Sequence, residues 1–135
     1  MFAVKPIADK ELQKEICEAL HVPYEPQTLA YYAANLKEDR ETVAEYIGIC
    51  QFTVGDIGTI VTLACPPSFI TDEAMIVLCR AVMFFMHHVG IHRVEMSVDA
   101  GADTLLSQTG FSLHDNIYEM DLDAFYTAPC KYEKK

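Results

Sequence analysis

A helix that is apolar nearly all round constrains this chain more than any other feature. Asp72 to Val89 reads DEAMIVLCRAVMFFMHHV, broken only by Arg80 before His87-His88. Such a helix cannot lie on a surface, because it needs apolar cover on more than one side. Met75, Leu78, Val82, Phe85 and Met86 can face a sheet. Ile76, Cys79, Met83 and Phe84 then demand a second cover, from the segment Leu122 to Tyr126 or from another subunit. Thr71 is its predicted N-cap and Gly90 its stop. On either side stand β-type segments. Ile57 to Cys65 is a strand closed by Pro66-Pro67. His92 to Asp99 alternates, with Val94, Met96 and Val98 on one face and Arg93, Glu95 and Ser97 on the other. Strand, long helix and strand predict two neighbouring parallel strands joined by a crossover.

The remaining elements can be read around that unit. Phe2 to Ile7 is a strand, which Pro6 confines to an edge or a strand end. Asp9 caps a helix from Lys10 to about Leu20, with Leu12, Ile16, Ala19 and Leu20 on one face. Pro23 and Pro26 mark a loop. Thr28 to Leu36 has a helical alternative, but it reads as a strand because Val43 to Val54 follows it beyond a charged turn, making a hairpin. Asp103 to Thr109 is a short helix ended by Gly110. Phe111 to Leu113 pairs with Ile117 to Leu122 around His114-Asp115-Asn116. The latter strand is expected to be the exposed edge of the sheet, charged by Glu119 and Asp121. The expected fold is one α/β (α+β) domain over residues 1–135. It has a mixed central sheet of six or seven strands flanked by helices, with a strand-helix-strand core at 57–99.

Charge restricts the partners. The chain of 135 residues carries 10 basic and 20 acidic residues, a net charge of −10. It repels nucleic acid and does nothing to attract other polyanions, while weakly favouring a cation such as a small amine. Cys17, Cys50, Cys65, Cys79 and Cys130 are odd in number and include no C-x-x-C pair. They read as thiols in a reducing, cytoplasmic setting. The N-terminal MFAVKPIADKEL lacks the apolar stretch of a secretory signal. Ala74 to Val89 falls short of the ~20 residues of a membrane span.

The order from Thr59 to Phe111 resembles the GNAT acyltransferases, the N-acetyltransferase superfamily that uses acetyl-CoA. In that family a strand ends at a proline, an aromatic follows, and Arg/Gln-Gly-x-Gly-x-Gly/Ala opens the helix. Pro67 and Phe69 match. Ile70 stands for the arginine or glutamine, and Thr71, Glu73 and Met75 stand for the glycines. A second family signature, Asn-x-x-Ala-x-x-Leu-Tyr-x-Lys-x-Gly-Phe, is kept at Ala102, Leu105, Gly110 and Phe111. Asp99 replaces its asparagine, Gln108 its lysine, and Leu106 the tyrosine that serves as general acid. The resemblance implies a GNAT-like fold with acyl transfer from acetyl-CoA or another acyl-CoA to an amine. By position it implies a donor site at Leu63, Ala64, Cys65, Thr71, Asp72, Glu73, Ala74 and Met75. The substituted positions argue that the acetyl-CoA site is degraded. Asp72 and Glu73 set two carboxylates where a diphosphate would lie, which suits a capped structural helix.

Other residues offer little replacement chemistry. Glu45, Asp56 and Cys65 are the candidate catalytic side chains, yet the carboxylates read first as solvated groups and the cysteine as packing. His87, His88 and His92 read as helix-end histidines rather than metal ligands, because Gly90 interrupts them. Tyr31, Tyr32 and Tyr46 read as cross-strand packing. The alternative function is a non-catalytic small-ligand or protein-binding module, dimeric through its central helix.

Overall fold

The computed structural model describes residues 1–69, 73–97, 105 and 109–127. In chain order the elements are β1 (Phe2–Ile7), α1 (Lys10–Leu20), β2 (Leu29–Leu36), β3 (Val43–Val54), β4 (Gly58–Ala64), α2 (Glu73–His88), β5 (Arg93–Ser97), β6 (Ser112–His114), β7 (Ile117–Asp121) and α3 (Leu122–Thr127). A 3-10 turn at Pro67–Phe69 separates β4 from α2. The strands form one mixed sheet in the order β1-β2-β3-β4-β5-β7-β6. Strands β4 and β5 are parallel neighbours, as the strand-helix-strand reading predicts. The other neighbouring pairs are antiparallel.

One expectation is overturned. Ile117–Asp121 is not the sheet edge, because β7 lies between β5 and β6. The outer strand is Ser112–His114. Asp115 and Asn116 both have positive φ, 51° and 67°, and close a two-residue turn of the mirror-image type that suits the strand twist. This tight turn folds β6 outward, and its brevity limits the edge it exposes. Of the predicted helix 103–109, only Leu105 and Thr109 are among the described residues, and both are helical.

Two cores cover the two faces. On β3, Ile49 and Cys50 are successive residues and so point to opposite sides. Ile49 joins Ile7, Ile16, Cys17 and Ala30 beneath α1. Cys50 joins Phe52, Ile60, Leu63, Val94 and Met96 beneath α2. The first core holds a buried polar knot. Gln51 accepts from Gln13 Nε2 at 2.8 Å and from the Glu25 amide at 3.0 Å. It donates to the Pro23 carbonyl and to Thr62 Oγ1, both at 3.0 Å. Every bond-forming group of that amide is used, so the knot fixes the Pro23–Pro26 loop against α1 and β4.

Helix α2 is seated on the sheet by sulfur over glycine. A Cβ added at Gly48 would lie 2.3 Å from Met75 Sδ and 2.9 Å from the Ala64 carbonyl oxygen. At Gly58 it would lie 2.5 Å from Met86 Sδ. The helix ends where Gly90 takes φ 94° and its amide, with that of Ile91, bonds back to the His87 and Met86 carbonyls. Cys79 and Met83, expected on the outer side, are fully buried within the chain. Cys79 Sγ lies 3.6 Å from Thr109 Oγ1 and Leu105 joins the same core, so Leu105 and Thr109 contribute to the second cover there. Phe84 remains 60% exposed.

Gly48→Ala is expected to destabilise the protein by about 1–3 kcal/mol, since the new methyl meets backbone as well as a side chain. Gly58→Ala should cost less, because only the flexible end of Met86 is in close contact there. Urea unfolding of both variants checks the order. A Gly48→Ala variant as stable as the parent would contradict this packing.

Candidate functional site

The parallel pair lies at the middle of the sheet. Among the described residues, β4 and β5 pair at Gly58 with Val94, Thr59 with Glu95 and Ile60 with Met96. Strand β4 continues to Ala64, and Leu63 and Ala64 pair with Cys50 and Ile49 of β3. A register shift opposite Gln51 and Phe52 skips Val61 and bends β4.

The start of α2 stands at the Ala64 end of β4. Its first described residue, Glu73, is exposed and acidic. Ala74 and Met75 are buried at 0% and 1%, and Met75 sulfur fills the space over Gly48. A diphosphate grip needs bare amides that a phosphate can approach closely and no competing negative charge. Here Glu73 sets a carboxylate at the first described residue of the helix, and Met75 packs over Gly48 with no glycine at its place. The described residues do not fit a nucleotide diphosphate. Ile70, Thr71 and Asp72, like Asp99 and Leu106, lie outside the described residues.

The candidate catalytic residues are not brought together. Cys65 follows β4 directly and is half-buried. Asp56 sits exposed in the β3–β4 turn, at the opposite end of β4 and about 20 Å away along the strand. Glu45 is exposed at the start of β3, where its Oε1 accepts from Asn35 Nδ2 at 3.1 Å. Register places Glu45 opposite Asn35 and Asn35 opposite Phe2, which packs in the α2-side core. Directly opposed residues share a face, so Glu45 lies on the α2 side. The buried thiols are inert by comparison. Burial pushes Cys79 up to about 11 and Cys50 well above the ordinary thiol range, with the nearby Cys79 adding to the latter.

A second concave region occupies the far end of β5, in a cavity of about 620 Å3. Its lining includes His92, Arg93, His114, Glu119, Asp121 and Asp123. Arg93 bridges Glu119 and, at 3.0 Å, Glu95. Asp123 Oδ2 lies 2.7 Å from His92 Nδ1, and Asp123 Oδ1 lies 3.9 Å from His87 Nε2. Tyr126 stacks on His87 with centroids 4.6 Å apart. The histidines thus tie α3 to the end of α2. Among the described residues no group of histidine, cysteine and acidic side chains is arranged to hold a metal ion. Sequence reasoning missed these ion pairs. The alternation of Arg93 and Glu95 placed both on one face, but the pairing of β5 with β7 that adds Glu119 was not legible. His88 lies apart, stacked on Phe84.

No family model matches the sequence, and no curated protein does. Solved structures do. An acetyltransferase of the GNAT family from Staphylococcus aureus superposes with a TM-score of 0.65 at 10% identity, covering 90% of this chain and 99% of that one. The ribosomal-protein-S18-alanine N-acetyltransferase of Escherichia coli gives 0.62 at 13% identity, covering 90% and 94%. The chain has the GNAT fold. An N-acetyltransferase-like protein of Escherichia coli bound to coenzyme A gives 0.63 at 12% identity, covering 90% of this chain and 98% of that one. At these identities the likeness is one of fold. The GNAT fold fits the seven-stranded mixed sheet and its parallel β4–β5 pair.

The Asp123 contact predicts a pH signature. Its hydrogen bond and charge raise the His92 pKa above the ordinary 6.5. The raised His92 pKa therefore contributes stability that is fully present below pH 6.5 and is lost as pH rises through the raised value. Titration followed by NMR should show His92 above 6.5, and Asp123→Asn should lower it. The stability gap between parent and variant should shrink above neutrality. A His92 midpoint indifferent to Asp123→Asn refutes the contact.

Proposed function

We propose that the protein binds an acyl thioester in the β4–β5 cleft and transfers the acyl group to a small amine. The observation that carries this is the GNAT fold of the chain, with β4 and β5 as parallel neighbours on either side of α2 in sequence. Leu63, Ala64 and Cys65 are the positions along which a donor's pantetheine arm would run. The GNAT fold supports this use of the cleft. In the reaction the amine nitrogen attacks the thioester carbonyl, the C–N bond forms and the C–S bond breaks. The nitrogen gives up one proton to water or a carboxylate, and that proton is returned to the leaving thiolate, which departs as the thiol. Alignment of amine and thioester supplies most of the rate in such a site. Glu45 and Cys65 stand at the cleft end of the sheet and are the side chains to test, with Asp56 as the distant control. The acidic surface favours a cationic acceptor. The reading includes a cytoplasmic, reducing setting, in keeping with Cys17, Cys50, Cys65 and Cys79 standing outside disulfides.

Thermal-shift titration with acetyl-CoA, CoA and longer acyl-CoAs tests the donor. A specific ligand at 100 times its dissociation constant adds about 2.7 kcal/mol. Acetyl-CoA itself should bind only weakly, because Glu73 and Met75 occupy the place of its diphosphate grip. Micromolar affinity for acetyl-CoA at physiological salt would overturn that expectation.

A second reading, a dimeric binding module without catalysis, is favoured by the outer face of α2. Val77, Phe84 and His88 are exposed there in one line, and Tyr126 covers Phe84 only from one side. A second copy is the occupant of that reading, since Val77 and Phe84 can meet their own copies about a two-fold axis, with the exposed Arg80 of the same face at the rim. Phe84→Asp should convert dimers to monomers with the fold intact. Met83→Asp, whose site is buried within the chain, should instead unfold the protein. Light scattering that finds the parent monomeric at high micromolar concentration refutes the dimer.

A further inference from the structure

We draw no further inference here: the strongest candidate, the cavity between the β6–β7 hairpin and α3 at the N-terminal end of β5, carries nothing, because its carboxylates at Glu119, Asp121 and Asp123 are engaged by Arg93, His114, the Ala124 amide and His92, and nothing among the described residues points to a ligand there.

Discussion

Met75 lies on Gly48 and Met86 on Gly58, so the two ends of α2 are seated on adjacent strands of the sheet. The two sulfurs belong to residues about 16 Å apart along the helix axis. Each seat is too tight for a Cβ, and a thioether chain is flexible enough to fill the shallow space that a glycine leaves. The seats decide where α2 begins relative to β4 and where it stops relative to β5. They go with the burial of the described start of the helix at Ala74 and Met75.

Much of the fold was legible because each element carries its own period. Val43–Val54, the α2 segment and β5 declare themselves by alternation, by an apolar surface all round and by clean stops at Pro66-Pro67 and Gly90. Strand order beyond β5 was less legible. Nothing local in Ile117–Asp121 says that it enters beside β5 while Ser112–His114 takes the edge. The alternation of Tyr118 and Met120 with Glu119 suits an interior and an edge strand alike. The burial of Tyr118 and Met120 depends on Val94 and Met96, partners distant in sequence. Gln51 was opaque for a similar reason. In a run reading GICQF it breaks the apolar pattern, and only the approach of α1 and the Pro23–Pro26 loop gives its amide a full set of partners. For the site, the identity of the substituted positions could be read, but the sulfur packed over Gly48 could not.

Paired charges gather at the N-terminal end of β5. Arg93 meets Glu95 and Glu119, Asp123 meets His87 and His92, and Asp121 Oδ1 accepts from the Ala124 amide at 3.0 Å. Exposed pairs of this kind contribute little stability singly, roughly 0–1 kcal/mol each, but they fix geometry. They hold α3 across the end of α2 and bring Tyr126 beside Phe84. A region whose charges are answered in this way is suited to holding structure.

The pattern of what survives in the sequence has a physical cause. Pro67, Phe69, Leu105, Gly110 and Phe111 are positions where the fold itself imposes the residue. Leu105 and Phe111 are buried in the α2-side core, and Gly110 has φ 107°. Changing them costs stability whatever the protein does. The glycines and the arginine of a diphosphate grip have no such protection. A glycine at a helix start is less favourable than a capping or acidic residue, so without an anion to hold, stability alone favours replacement. Glu73 follows that rule, and Met75 packs into the core over Gly48. Met75→Gly would open a cavity over Gly48 and cost stability by about 2–5 kcal/mol on the scale of other large-to-small core changes.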